Sequence, residues 1–201
     1  MRHLKLPAAI LFRPGATLRR LAGEEAPSRG ETLRRLTIPL IVLSVVTSQL
    51  LYQVIPTGLP PEAIPEPVGF GIYSALLMLL GTLFLALCAH YLLDLFQGRG
   101  DFERALQATS LGLVPAWLGN VVAAFPWPWG NTIGALLILY SVVLLQRAFT
   151  ALLGVRRGNR LGHLFATLVA ALFLTFVAGW LLVDLIPGAG PEVRLGTTWL
   201  I

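Results

Sequence analysis

The chain has 201 residues, of which 56% are hydrophobic and 12% are charged, and its mean hydropathy is +0.76. Soluble domains carry about 25% charged residues, so a water-soluble fold of this length could not hide so much apolar surface. The net charge of +5 lies in short connectors beside apolar runs, which indicates contact with anionic lipid headgroups and argues against nucleic-acid binding. The single cysteine, Cys88, excludes an intramolecular disulfide framework and a Cys-rich zinc site.

Residues 1–35 form a basic segment before the first apolar run. The stretches 16–22 and 31–36 each fit a short interfacial helix, with leucines such as Leu18 and Leu21 facing the membrane and arginines facing the headgroups. The alternative is an unstructured basic tail. We expect this segment to be cytoplasmic in either case.

Five apolar runs follow, and each approaches the roughly 20 residues that a helix needs to cross a bilayer. The third run is the least hydrophobic, since Gln107, Thr109, Ser110, Pro115 and Asn120 interrupt it. The pattern predicts an all-α, polytopic protein with a five-helix transmembrane domain over 36–187 and a tail over 188–201. The predicted spans are 36–55, 70–96, 105–125, 131–153 and 163–186.

The distribution of Lys and Arg orients these spans. When the five crossings are alternated, fourteen of the 15 basic residues fall on one side and only Arg194 falls on the other. Basic residues near span ends favour the cytoplasmic side. The sequence therefore predicts a cytoplasmic N-terminus and an external C-terminus. All basic residues except Lys5 are Arg, which is typical of a GC-rich bacterial genome and predicts a bacterial inner membrane.

A series of short motifs resembles the YIP domain family of small five-span membrane proteins, and its bacterial members most. LFRPGATLRRLA precedes LRRLTIPLIVLS at the first span, and HYLLDLFQGRGDFERAL ends the second span before ATSLGLVPAWLGNVV. The likeness covers residues 8–187. The matching features are a His-bearing span end, a Gly-rich turn, an aromatic residue after that turn and a proline in the third span, here His90, Gly98, Gly100, Phe102 and Pro115.

The resemblance implies a five-helix bundle with the orientation that the arginines predict. The eukaryotic members act in vesicle trafficking and membrane shaping. The Tyr/Gly/Pro signatures of their early loops are not evident in this sequence, so no GTPase partner is carried over to this chain.

His90 and Asp94 are four residues apart, so a continuous helix would place them on one face of the second span. Ionisable residues within a span are costly and often functional, and such a pair could share a proton or a metal ion. Two ligands do not complete a metal site, and the candidates for a third are His163 and Glu103. The structural alternative, which we favour, pairs Asp94 with Arg99, Arg104 or Arg147 while His90 donates to a neighbouring helix.

Other polar residues lie in the first and third spans. Gln49 and Gln53 share one helix face that should look into the bundle, and Asn120 could join them and the His90/Asp94 pair in a polar path. Hydrogen bonding between helices is the simpler interpretation. Pro115 predicts a kink in the third span, because it lacks a backbone N–H.

The turn Gly98-Arg99-Gly100-Asp101 imitates the GxGD string of intramembrane aspartyl proteases. That chemistry needs two aspartates at membrane depth, whereas Asp101 precedes a span. We therefore predict that Asp101 is a helix N-cap whose carboxylate accepts from amides near Glu103 or Arg104, with Phe102 directly after it.

No complete set of catalytic groups is evident, so we expect no enzyme and no cofactor. The sequence predicts a YIP-like protein that organises the bilayer or recruits partners at its basic cytoplasmic face. Its partners would be the bilayer, anionic lipid headgroups, and either further copies of the chain or another membrane protein. The alternative function is a small transporter or channel for protons or a metal ion.

Overall fold

The computed structural model describes residues 5–55 and 66–189, and every regular element in these ranges is helical. Most of the proline-rich connector after the first span, most of the C-terminal tail, Arg2 and Arg194 lie outside the described residues. The helices are α1 (Lys5–Phe12), α2 (Pro14–Ala22), α3 (Arg29–Thr32), α4 (Ile38–Val54), α5 (Pro67–Tyr91), α6 (Phe102–Gly112), α7 (Val114–Val122), α8 (Trp129–Leu152) and α9 (Arg160–Leu185). A π-helical turn (Leu33–Thr37) joins α3 to α4, and 3₁₀ turns cover Asp94–Phe96 and Arg157–Asn159.

Within the described ranges, four helical stretches are long and apolar enough to cross a membrane. Their outer surfaces carry large apolar side chains, and Leu139 and Phe176, for example, are 62% and 73% exposed. Such a surface suits hydrocarbon rather than water. The four stretches are Arg29–Val54, Pro67–Tyr91, Trp129–Leu152 and Arg157–Leu185.

The first, second and fourth of these stretches differ by several residues from their predicted bounds, and the fourth begins at Arg157 rather than residue 163. The first begins at Arg29 rather than residue 36, because the Ser28 side chain caps α3 by accepting from the Glu31 amide at 3.3 Å and the π-helical turn then continues the helix into α4. The second ends at Tyr91 rather than residue 96. The predicted amphipathic stretch 31–36 is therefore the start of the first long helix.

The third predicted span is two shorter helices, α6 and α7, that meet at Leu113. Pro115 lies in the first turn of α7, where its missing N–H breaks the helical hydrogen-bond pattern and a new helix begins. The predicted interruption is therefore present as a helix break. All residues of α6 from Ala105 to Gly112 are buried, which explains why its low hydropathy is tolerated.

The two-helix segment lies at the centre of the fold. α6 packs against α3, α5 and α8, while α7 packs between α4 and α8. Glycine allows the closest approach, because a Cβ on Gly119 would lie 3.0 Å from the Gly134 carbonyl oxygen and a Cβ on Gly112 would lie 2.5 Å from Leu145 Cδ2. On the far side, α9 packs along α5.

The N-terminal helices are folded onto this bundle rather than laid on the lipid. Leu18 and Leu21 of α2 are 2% and 5% exposed and belong to the same apolar core as α8. The prediction that they face the membrane is therefore wrong. Their helix is amphipathic, but its apolar face is covered by protein. The Tyr140 hydroxyl of α8 also donates to the Leu11 carbonyl at 2.9 Å.

Candidate functional site

The second long helix ends between the two residues predicted to form a pair. His90 lies in the last turn of α5, whereas Asp94 begins the following 3₁₀ turn and is exposed. The continuous helix on which the two residues were predicted to share a face therefore ends three residues before Asp94. The His90 ring lies edge-on to Phe102, with centroids 6.2 Å apart, and its Nδ1 is buried without a hydrogen-bond partner in the described structure. No Lys or Arg within residues 5–55 and 66–189 forms an ion pair with Asp94.

The turns that follow α5, including the 3₁₀ turn Asp94–Phe96, are closed by a Schellman motif at Gln97. Gln97 adopts a left-handed conformation with φ of 56°, the Gly98 amide donates to the Leu93 carbonyl at 2.9 Å, and the Gln97 amide donates to the Asp94 carbonyl at 3.4 Å. This pattern satisfies carbonyls at a helical terminus. A Cβ on Gly98 would lie 2.4 Å from Leu93 Cδ2, so the position has no room for a side chain.

The Gly-rich turn then leads into α6 by the predicted cap. The Asp101 side chain accepts from the Arg104 amide at 2.8 Å, which confirms the N-cap prediction. Gly100 packs against Leu153, where a Cβ would meet Leu153 Cδ2 at 2.9 Å, and the Arg99 amide donates to the Leu153 carbonyl at 2.8 Å. The structure thus gives this turn a packing role at the α8 end.

Asn120 is satisfied by serines that the sequence analysis did not single out. Its side-chain amide donates to Ser44 Oγ at 3.2 Å and to Ser48 Oγ at 3.1 Å, and Ser44 donates to the Trp117 carbonyl at 2.7 Å. These bonds join α4 to α7. Serines at i and i+4 opposite an asparagine could have suggested this arrangement, but only if the pairing of the two helices were known.

The two glutamines are not part of that cluster. Gln49 is half-buried, and its Cγ lies 3.6 Å from the position that a Gly71 Cβ would occupy on α5. Gln53 is exposed, so the prediction that both residues look into the bundle is wrong for Gln53. Of the five candidate polar residues, His90 and Asp94 therefore lie at one end of α5, while Asn120 is paired with serines of α4.

The candidates for a third metal ligand do not complete a site. In the part of the chain that the structure describes, no three His, Cys, Asp or Glu side chains are close enough to hold a metal ion. His163 is fully buried between the rings of Phe96 and Phe149, with its Nε2 atom 3.0 Å from the Ala89 carbonyl oxygen. Glu103 forms an ion pair with Arg29 at 3.2 Å.

Arg104 fastens the N-terminal segment to the start of α6. One guanidinium nitrogen donates to the Leu21 carbonyl at 2.8 Å, and the other donates to the Glu24 carbonyl. The ion pair between Arg29 and Glu103 lies beside this contact. These bonds hold the loop after α2 against the same ends of the helices that carry most of the arginines.

A cavity of about 860 Å³ lies between the α1–α2 pair, the α3–α4 helix and α6. We call it the interfacial cavity, because it lies where the basic segment meets the ends of the long helices. Its volume is within the range typical of ligand pockets. The sequence analysis missed it, since it forms only when the N-terminal helices fold back on the bundle. Its charged lining residues are Arg20, Glu24, Glu25, Glu31 and Arg35.

The family model of the Yip1 domain matches residues 8–179. The chain belongs to the Yip1 domain family. This match confirms the YIP resemblance and, with the apolar helices, makes the chain an integral membrane protein. No curated protein and no solved structure matches the chain.

The matched region includes most of the structural features described above. It begins within α1, so the docked N-terminal segment is part of the Yip1 domain, and it ends within α9. The turn at 97–101 and the α6–α7 break also fall inside the match.

Proposed function

We propose that this Yip1-family chain is a non-enzymatic scaffold of a bacterial inner membrane whose basic cytoplasmic face binds anionic lipid headgroups and recruits partners. The observation that carries the proposal is the docked N-terminal segment, which Arg104 and the Arg29–Glu103 pair attach to the helix ends. Because the segment is docked, its arginines occupy fixed positions on the surface of the protein. Arginines exposed on or next to this face include Arg19, Arg34, Arg99, Arg147, Arg156 and Arg157.

We further propose that the chain crosses the membrane five times, with the N-terminus inside and the C-terminus outside. The fifth crossing is the α6–α7 pair, which runs from Phe102 to Val122. At 1.5 Å per residue its length is about 30 Å, which equals the hydrocarbon thickness. The distribution of Lys and Arg supports the same topology, because the arginine-bearing connectors all fall on one side of the membrane only when this pair crosses.

A thiol-labelling experiment tests the topology. In a Cys88→Ser background, Arg99→Cys and Trp127→Cys place single thiols at two exposed sites on either side of α6–α7. We expect a membrane-impermeant maleimide to label residue 99 only in inside-out vesicles and residue 127 only in right-side-out vesicles. Labelling of both from the same side would refute the fifth crossing.

Lipid enrichment tests the proposed role of the arginines. Each Arg near an anionic surface contributes about 1 kcal/mol of attraction. We expect a triple variant, Arg34→Gln with Arg99→Gln and Arg157→Gln, to lose most of the phosphatidylglycerol that wild type retains from a mixture with phosphatidylcholine. The matched control replaces the same three residues with Lys and should retain it. Equal retention by all three proteins would contradict the proposal.

A conduit for protons or a metal ion has no comparable support. It needs polar groups from several helices that meet at one depth in contact with water. Asn120 is instead satisfied within an α4–α7 cluster, and Gln53 and Asp94 are exposed at separate places.

A further inference from the structure

The interfacial cavity contains two buried polar side chains that lack partners. Thr32 and Gln107 line it and are only 3% and 4% exposed, and neither Thr32 Oγ1 nor Gln107 Oε1 has a hydrogen-bond partner in the described structure. A buried polar atom without a partner costs about 1–3 kcal/mol. Both residues line the same cavity, so a polar ligand held there would supply them with hydrogen-bond partners. Thr32 also adjoins the π-helical turn, a distortion that is frequent at functional sites.

The charged side chains around the cavity determine which kind of polar ligand fits it. Two guanidinium groups and three carboxylates line it, and four of these are already paired, Arg20 with Glu24 at 3.6 Å and Arg35 with Glu31 at 2.7 Å. The remaining Glu25 forms no ion pair within the described residues, but the Arg104 guanidinium donates to the carbonyls of the lining residues Leu21 and Glu24, so the charges at the cavity balance. A ligand with both a cationic and an anionic group matches this lining better than an anion does.

The rest of the cavity wall is apolar. Its apolar lining includes Leu6 and Ala9 of α1, Leu21 of α2 and Leu36 of the π-helical turn. The amide of Gln107 can both donate and accept, so it suits a phosphate as well as an ammonium group. We propose that the interfacial cavity binds one zwitterionic phospholipid from the bilayer, with its phosphoethanolamine headgroup against Thr32 and Gln107 and its acyl end against the apolar wall.

This site is distinct from the arginine surface proposed above, so an experiment can refute lipid binding in the cavity without refuting headgroup binding by the arginines. The arginine surface attracts anionic headgroups, whereas the cavity should discriminate against them. The net negative charge of phosphatidylglycerol would find no spare counter-charge in a balanced lining, and at about 1 kcal/mol for one charge this corresponds to a preference of about fivefold. We expect phosphatidylethanolamine to compete about fivefold better than phosphatidylglycerol for the cavity.

Two neighbouring alanines supply a matched pair of variants. Ala9 lines the cavity, whereas Ala8 is exposed on the same helix and does not. The full chain in detergent is incubated with equal amounts of phosphatidylethanolamine and phosphatidylglycerol, and bound lipids are counted by native mass spectrometry. We expect wild type and Ala8→Phe to retain one phosphatidylethanolamine that Ala9→Phe lacks, with bound phosphatidylglycerol unchanged. Equal lipid retention by both variants, or a loss confined to phosphatidylglycerol, would overturn the proposal.

Removal of the unpartnered polar groups gives a test that does not depend on filling the cavity. Thr32→Val and Gln107→Leu keep approximate side-chain size, so in lipid-free detergent we expect each variant to be at least as stable as wild type. Added phosphatidylethanolamine should raise the melting temperature of wild type more than that of either variant. The same rise in all three proteins would overturn the assignment. Equal stabilisation of wild type by soluble phosphoethanolamine would refute the role of the acyl chain.

Discussion

Arg104 should control whether the N-terminal segment stays on the bundle. Its guanidinium donates to two backbone carbonyls, those of Leu21 and Glu24, in a partly exposed setting. Charge-assisted hydrogen bonds are worth about 1.5–3 kcal/mol when buried, so we assign about 1 kcal/mol to each here. Arg104→Met keeps the aliphatic stem and removes both bonds. The loss of about 2 kcal/mol should favour local opening by roughly 30-fold.

Hydrogen exchange measured by mass spectrometry reports this opening directly. We expect amides of residues 14–27 to exchange roughly 30-fold faster in Arg104→Met, while amides in the middle of α8 keep their wild-type rates. The matched control is Arg157→Met, which removes an exposed arginine that forms no hydrogen bond with the N-terminal helices within residues 5–55 and 66–189. Wild-type exchange in Arg104→Met would mean that apolar packing alone holds the segment. Equal acceleration in both variants would point to net charge rather than to these two bonds.

Two further predictions concern the helix contacts at the centre of the fold. Gly112→Ala should lower the free energy of unfolding by about 1–3 kcal/mol in mixed micelles, because the new Cβ would lie 2.5 Å from Leu145 Cδ2, whereas Gly158→Ala meets nothing within 4 Å and should be neutral. Asn120→Leu should cost about 1 kcal/mol, and a double-mutant cycle with Ser48→Ala should give a coupling of about 0.6 kcal/mol. A neutral Gly112→Ala or a coupling of zero would contradict the packing and hydrogen bonds described here.

Local features of this chain were predictable where the residues that determine them lie within one short stretch of the sequence. The four long apolar helices follow from composition, and the Asp101 cap follows from one carboxylate at the start of a helix. The end of α5 was not predictable in the same way. The left-handed residue Gln97 lies directly after the predicted end of the span at residue 96, but no glycine or proline marks the change from α-helix to turn after Tyr91.

The least predictable feature was whether lipid or protein covers the apolar face of a helix. Leu18 and Leu21 mark such a face correctly, but lipid and the interior of a bundle are about equally apolar, so the pattern does not say which of them covers it. The same ambiguity hid the interfacial cavity. Its unpartnered residues, Thr32 and Gln107, lie 75 positions apart and are brought together only by docking of the N-terminal helices.

The low hydropathy of the α6–α7 segment follows from its place in the fold. A helix that faces lipid must be apolar on that face, whereas a helix surrounded by protein can keep polar side chains if other helices supply contacts. Ser110 of α6 is 2.8 Å from Thr37 Oγ1, and Asn120 of α7 donates to two serines of α4. Four long helices therefore stand out by their apolar composition, and the α6–α7 pair does not. The least apolar of the predicted spans is thus the one against which α4, α5 and α8 all pack.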